Sequence, residues 1–185
     1  MKKILPPVLL GIGFCAFLVS QILWNTSPLG AQGVNAGQSK EQLYETLFKE
    51  SKFTTIEKQS VELKSLSAPL LVVNFWASWC APCLKEFPSL VALQKKLGKD
   101  LVVVGINGDE DEPLEAIAKT KKKFGLEFHH VIDPRSEISD RFGVTSYPFS
   151  LIYARGKIIH IASKHQDFMD PKLLEKIEAS VKVAP

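Results

Sequence analysis

Two cysteines, three positions apart, are the residues of this sequence best suited to chemistry. The motif Cys80-Ala81-Pro82-Cys83 follows the apolar run Leu70–Trp76 and opens a segment of helical composition, Ala81–Leu97. Backbone N–H groups at a helix N-terminus favour negative charge, so the pattern predicts a Cys80 thiol with a pKa below about 8.5, suited to act as nucleophile. One helical turn brings Cys83, more deeply buried, to the same side, where the two sulfurs can form a reversible disulfide.

Two other roles for this pair are a zinc half-site and a structural disulfide. Zinc takes four ligands, but no second C-x-x-C exists, and the adjacent His129 and His130 would point to opposite faces of a strand. A structural bridge across so short a loop restricts the unfolded chain little. The third cysteine, Cys15, lies in an apolar stretch. The sequence therefore favours a redox-active Cys80–Cys83 pair with no metal and no other cofactor.

Composition limits the classes of partner. The chain has 185 residues, of which 45% are hydrophobic and 23% charged, with a formal net charge of +3. Without Lys2 and Lys3, which precede the first apolar run, 21 basic residues stand against 20 acidic ones. A body so nearly neutral gives no electrostatic case for binding nucleic acid.

The first 38 residues have the composition of a targeting segment. Residues 1–25 predict a signal anchor or a signal peptide, because residues 4–24 form an apolar stretch long enough to cross a bilayer. Lysines before this stretch place the N-terminus in the cytoplasm and the rest outside. Neither Leu29-Gly30-Ala31 nor Val34-Asn35-Ala36 is a clean cleavage site, which favours the uncleaved anchor. Residues 26–38, rich in small residues, predict a flexible linker.

Residues 39–185 alternate strand and helix patterns and predict a single α/β domain with a mixed central sheet flanked by helices. Predicted helices cover 40–50, 81–97, 113–124 and 136–142, and a last helix begins with Asp170 as its cap. Predicted strands cover 53–57 and 61–63 as a hairpin, then 70–76, 101–106, 128–132, 149–153 and 157–161. The acidic stretch 109–112 predicts a hydrated loop that leads into the helix at Pro113.

The segment Val73–Cys83, followed by Lys85-Glu86-Phe87-Pro88 and later by Gly143–Pro148, resembles the TlpA-like branch of the thioredoxin superfamily. That branch includes membrane-tethered reductases of cytochrome c maturation (ResA/CcmG-like). The resemblance covers roughly Phe53 to Lys182. It implies a thioredoxin-like fold with an N-terminal hairpin and a TlpA-type inserted helix and strand.

The resemblance also implies roles for residues around the pair. Pro148 is expected to be a cis-proline beside the disulfide, and the backbone of Tyr147 is expected to pair with a substrate strand. Trp79 is expected to pack beside Cys80. Together with Ala81 and Pro82, these residues form the expected substrate-contact surface.

Three residues depart from the patterns of related proteins. Asn74 stands where thioredoxin has a buried acid, and Ala81 stands where some cytochrome c maturation proteins have a glutamate. The base that deprotonates Cys83 is therefore not obvious. Glu86 is the candidate proton acceptor, with a solvent-facing position on the helix as the alternative. Tyr147 is bulkier than the small or hydroxylated residues common there.

The sequence thus predicts a periplasmic, membrane-tethered thiol-disulfide oxidoreductase that reduces disulfides in apocytochrome c or copper-site proteins. The resemblance implies a membrane thiol relay as electron donor. The motif does not give the redox direction, so a disulfide oxidant or isomerase is the closest alternative. A copper chaperone using His160 and His165, and a thiol peroxidase, are alternatives from other classes.

Overall fold

The computed structural model describes residues 39–66 and 68–182. The predicted targeting segment 1–25 and linker 26–38 lie outside the described residues. Within the described part of the chain, no helix has both the length and the apolar character needed to cross a bilayer.

Five α-helices and seven strands occur in residues 39–66 and 68–182. The helices are α1 (Lys40–Glu50), α2 (Ala81–Leu97), α3 (Pro113–Phe124), α4 (Glu137–Arg141) and α5 (Pro171–Lys182). The strands are β1 (Lys52–Thr54), β2 (Ser60–Glu62), β3 (Leu70–Trp76), β4 (Leu101–Asn107), β5 (His129–Ile132), β6 (Phe149–Ala154) and β7 (Lys157–Ala162). Short 3₁₀ turns occupy Leu63–Ser65 and Gly98–Asp100.

The strands form two sheets. A five-stranded sheet has the order β5-β4-β3-β6-β7, in which β3, β4 and β5 are parallel and β6 and β7 are antiparallel to their neighbours. The hairpin β1–β2 is separate and shorter than predicted, pairing Lys52–Thr54 with Ser60–Glu62. The predicted mixed sheet with flanking helices is confirmed.

The central strand β3 explains how the core is divided. All seven of its residues are buried, and side chains alternate between the two faces of a strand. Leu70, Val72 and Trp76 pack with α2 in one hydrophobic cluster. Leu71, Val73 and Phe75 belong to a second cluster on the opposite face. Asn74 therefore points toward α2, into a largely apolar layer, where it contacts Glu86.

Local capping sets the ends of two helices as predicted. Ser39 and Gln42 form a reciprocal capping box at the start of α1. The Asp170 carboxylate accepts hydrogen bonds from the backbone N–H groups of Lys172 and Leu173 at the start of α5. These caps stabilise two helices whose buried residues belong to the hydrophobic clusters on opposite faces of the sheet.

Candidate active site

Cys80 and Cys83 form a disulfide at the point where β3 gives way to α2. Cys80 is the N-cap residue of α2, and its sulfur accepts a hydrogen bond from the backbone N–H of Cys83 at 3.2 Å. The Cα atoms are 5.3 Å apart. Cys83 is fully buried and Cys80 retains slight exposure, as the sequence predicts. A first-turn N–H group of α2, that of Cys83, is therefore directed at the sulfur that has to carry charge as a thiolate.

The predicted contact residues differ in their exposure. Trp79 is 68% exposed, and Ala81 and Pro82 are exposed at the start of α2. The Trp79 ring lies 5.9 Å from the ring of half-buried Tyr147, measured between centroids. The Tyr147–Pro148 peptide bond is cis, as the resemblance implies. Pro148 itself is buried.

Glu86 is not solvent-facing, so that alternative from the sequence is wrong. The side chain is only 1% exposed. Its Oε1 accepts a hydrogen bond from the Asn74 amide at 2.7 Å, and its Oε2 accepts one from the backbone N–H of Gln166 at 3.1 Å. Burial raises the pKa of Glu86 to about 7, although the hydrogen bonds from Gln166 and Asn74 act to lower it. A carboxyl group that titrates near neutral pH can exchange a proton in either direction.

Glu86 is covered by the segment that connects β7 to α5. Phe168 of this segment is fully buried, and its backbone N–H donates to the Ser89 hydroxyl at 3.0 Å. Gln166 also contacts the ring nitrogen Nε2 of His160 through its Oε1 at 3.0 Å. This covering segment excludes water from Glu86, which is why its carboxylate is destabilised relative to the acid.

The acidic stretch 109–112 is only partly the hydrated loop that the sequence predicts. Asp109 is buried, whereas Glu110, Asp111 and Glu112 are exposed. The Asp109 carboxylate accepts hydrogen bonds from the Ser78 N–H at 2.9 Å, the Ser78 hydroxyl at 2.7 Å and the Asn107 amide at 2.6 Å. It thereby holds the loop that leads into Cys80.

A third buried carboxylate, that of Asp133, supports Tyr147. Asp133 accepts hydrogen bonds from the N–H groups of Ile138 and Ser139 and from the Ser139 hydroxyl. The Ser139 oxygen lies 3.1 Å from the Tyr147 hydroxyl. The ring of Tyr147 passes so close to Gly108 that a Cβ atom there would overlap the phenol. Gly108 and Ser139 thus fix the side chain beside the cis peptide bond.

Sequence reasoning did not single out Asp109, Asp133, Ser139 or Gln166. One available signal was topology: polar residues that follow parallel strands gather at one edge of the sheet. Asp109 follows β4 and Asp133 follows β5, at the edge where Cys80 follows β3. Gln166 gives no such signal, because it acts through its backbone.

The structure gives separate surroundings to two of the histidines that the sequence offered as metal ligands. His130 is buried against Trp76 and Phe128, and burial lowers its pKa to about 4. His160 contacts Gln166. Residues 39–66 and 68–182 contain no group of three or more His, Cys, Asp or Glu side chains arranged for a metal ion.

The fold and the C-x-x-C pair define a thioredoxin-like α/β protein, and comparison with known proteins agrees. The AhpC/TSA family model matches residues 46–162, and the chain belongs to this family. It is 33% identical over 108 residues to thiol-disulfide oxidoreductase ResA of Bacillus thuringiensis (strain Al Hakam), a match that covers 57% of this chain and 61% of that protein. The chain thus spans less than two thirds of the ResA protein's length.

Two further relatives support the same placement. The thioredoxin-like protein YneN of Bacillus subtilis (strain 168) is 32% identical over 126 residues, which cover 64% of this chain and 72% of YneN. The crystal structure of a protein described as a putative thiol:disulfide interchange protein DsbE, from Chlorobium tepidum, superposes with a TM-score of 0.61 at 26% identity. That superposition covers 71% of this chain and 92% of the other. The predicted kinship with thioredoxin-like oxidoreductases is confirmed.

Proposed function

We propose that this protein is a thiol-disulfide oxidoreductase that reduces disulfides in exported proteins, apocytochrome c or metal-site proteins among them. The observation that carries the proposal is the Cys80–Cys83 disulfide at the N-terminus of α2, with exposed Trp79 on one side and buried Glu86 on the other. The names of ResA and of the Chlorobium tepidum protein point to the same reaction class.

The reaction is dithiol exchange. In the reduced protein, the Cys80 thiolate attacks one sulfur of a substrate disulfide and displaces the other as a thiolate. Cys83 then loses its proton to Glu86, one helical turn further along α2. The Cys83 thiolate attacks Cys80 and releases the second substrate thiol. The substrate gains two electrons, and Cys80–Cys83 returns to the disulfide.

The substrate is expected to bind as an extended segment across Trp79, Ala81, Pro82, Tyr147 and Pro148. Backbone groups at Tyr147 would hydrogen-bond to the segment by strand addition. Trp79 offers a large apolar surface next to the sulfur that is attacked.

We further propose that residues 4–24 tether the protein to the membrane with the described domain on the periplasmic side, where a membrane thiol relay returns electrons to the pair. Apolar length and the lysines before the segment support this. Full-length protein should remain with the membrane fraction after a carbonate wash. Recovery in the wash would contradict the tether but leave the redox chemistry unaffected.

Trapping tests the exchange directly. Full-length Cys83→Ser protein mixed with a disulfide-bonded C-x-x-C-H peptide, the haem-attachment sequence, should accumulate a mixed disulfide through Cys80. Cys80→Ser protein is the matched control and should accumulate none. Equal trapping by both variants would reject the assigned roles. Peroxide turnover by the wild-type protein without a disulfide substrate would favour a peroxidase.

The reduction potential decides the direction. It can be titrated in a thiol buffer and followed by tryptophan fluorescence, because Trp76 and Trp79 lie close to the pair in sequence. A value near ~−270 mV, that of thioredoxin, supports a reductase, whereas a value near ~−120 mV makes the protein a disulfide donor.

A further inference from the structure

The Asn74 side chain lies between a serine and the candidate proton acceptor. Its Nδ2 donates to Glu86 Oε1 at 2.7 Å and to the Ser150 hydroxyl oxygen at 2.9 Å. All three side chains are at most 1% exposed. Asn74 and Ser150 are direct partners in the β3–β6 register, so the strand pairing itself fixes their distance.

The ionised carboxylate of Glu86 determines which way the amide faces. It can only accept hydrogen bonds, so the NH₂ group of Asn74 must face Glu86. The second N–H then reaches the Ser150 hydroxyl oxygen, which accepts it, while the amide oxygen Oδ1 is buried without a hydrogen-bond partner among the described residues. Reversal of the amide would place two oxygens 2.7 Å apart and leave both N–H groups without these acceptors.

That orientation has a chemical consequence for Glu86. A hydrogen bond from an N–H group is stronger to a charged carboxylate than to a neutral acid, so it opposes proton uptake. Within the described residues no cation pairs with Glu86. The groups that contact it are Asn74 from β3 and the backbone of Gln166, whose side chain in turn contacts His160, and Cys83 lies one turn earlier on its own helix. Among residues 39–66 and 68–182, Asn74 is thus the only side chain that donates to this carboxylate.

We propose that Asn74 and Ser150 are positioning residues for proton transfer: Ser150 accepts the second N–H of the Asn74 amide and steadies it while the first N–H faces Glu86, and the amide sets how readily Glu86 takes a proton. This inference rests on the proposed role of Glu86 as acceptor of the Cys83 proton. In that step the Cys83 S–H bond breaks, a Glu86 O–H bond forms, and the Cys83 sulfur keeps the electron pair with which it attacks Cys80. Thioredoxin has a buried acid at the strand position of Asn74. Here that position holds a neutral amide, which together with the Ser150 hydroxyl modulates a carboxyl group on α2.

The test is a carboxyl titration of Glu86 in full-length oxidised protein, followed by the ¹³C chemical shift of its side-chain carboxyl carbon and assigned with Glu86→Gln. In Ser150→Ala, the second N–H of Asn74 loses its acceptor, so the amide is held less firmly as a donor to Glu86. The pKa of Glu86 should then rise by about half a unit, a threefold change in proton affinity. Asn74→Leu removes the donor and should raise it by about one unit, or tenfold.

The control is Thr120→Val. It deletes a buried hydroxyl on α3 that donates to the Ala116 carbonyl of its own helix. It should leave the Glu86 titration unchanged. Equal titration in wild type and Ser150→Ala, or an equal shift in Thr120→Val, would overturn the proposal. Because Asn74→Leu alters the core, Ser150→Ala carries the decision if the leucine variant does not fold.

A second measurement separates this inference from the proposed function. The rate at which Cys83 resolves a mixed disulfide is measured in Glu86→Gln. If the rate is unchanged and Ser150→Ala still raises the pKa of Glu86, Glu86 is rejected as proton acceptor, although Ser150 and Asn74 still control its titration. If the rate is slowed and the pKa still rises, both the proposed role of Glu86 and the positioning role of Asn74 and Ser150 are supported.

Discussion

The buried carboxylates on the loops after β4 and β5 and the buried carboxylate on α2 differ in the number of hydrogen bonds that they accept. Three carboxylates are buried in the described part of the chain. Asp109 and Asp133, on loops after β4 and β5, each accept three hydrogen bonds. Glu86, on α2, accepts two, and only one of these comes from a side chain.

The difference indicates separate tasks. A buried carboxylate with several donors is a fixed acceptor around which loops can be ordered. Asp109 orders the loop before Cys80, and Asp133 orders the support of Tyr147. A carboxylate with fewer donors, in a dry layer of the core, is closer to balance between its charged and neutral forms. Glu86 therefore has the properties of a proton carrier and the two aspartates have those of structural anchors.

The largest loss of stability is expected at Asp109, one of the two aspartates with the properties of a structural anchor. Replacing it with alanine leaves the Ser78 N–H and hydroxyl and the Asn107 amide without their acceptor. We expect Asp109→Ala to lower the free energy of unfolding by about 3 kcal/mol, measured by urea denaturation of the full-length protein. Glu110→Ala, at the exposed neighbour, should change it by less than about 0.5 kcal/mol. Similar values for the two variants would mean that Asp109 is not an anchor.

Glu86 should instead affect stability in a pH-dependent way. Its pKa is about 7 in the folded protein, against 4.5 for an unperturbed glutamate side chain. Between these values the folded state binds more protons, so the stability contributed by Glu86 is complete below pH 4.5 and is lost as the pH rises through 7. Relative to wild type, Glu86→Gln should gain about 2.5 kcal/mol in unfolding free energy between pH 5 and pH 8, because a changed contact with Gln166 affects both pH values equally and cancels.

Urea unfolding at several pH values from about 5 to about 8 measures this difference. His130 has a lowered pKa and contributes the opposite slope, with stability lost as the pH falls through 4. It does so in both proteins, so it cancels in the comparison. A constant difference between Glu86→Gln and wild type across this range would show that Glu86 does not titrate there.

The helices, strands and cysteine pair were predictable because their signals are local. Seven consecutive apolar or amide residues predict β3, and a C-x-x-C after such a strand predicts the redox site. The tasks of the acidic residues were not predictable in this way. Asp109 is one of four adjacent acidic residues, and its burial depends on Ser78, 31 positions away. The burial of Glu86 depends on the segment around Gln166, 80 positions away.

Ser150 illustrates the same limit within a correctly predicted strand. The apolar pattern indicates β6, but only the register of β6 against β3 shows that Ser150 faces Asn74. A shift of one residue would place Ser150 on the other face of the sheet. Long-range register and covering segments, rather than local composition, therefore determine which polar residues belong to the site.

The smallest effect is expected at Tyr147, because the anchor Asp133 supports this residue only through Ser139. Tyr147→Phe keeps the ring over Gly108 but loses the contact between its hydroxyl and Ser139. We expect a loss of about 1 kcal/mol in unfolding free energy, with kcat for peptide disulfide reduction within about twofold of wild type. Gly108→Ala forces the ring itself to move, so KM should rise while kcat changes little, since the pair and Glu86 are untouched. If Gly108→Ala instead lowered kcat at constant KM, Tyr147 would act on the chemical step and not on the binding of substrate.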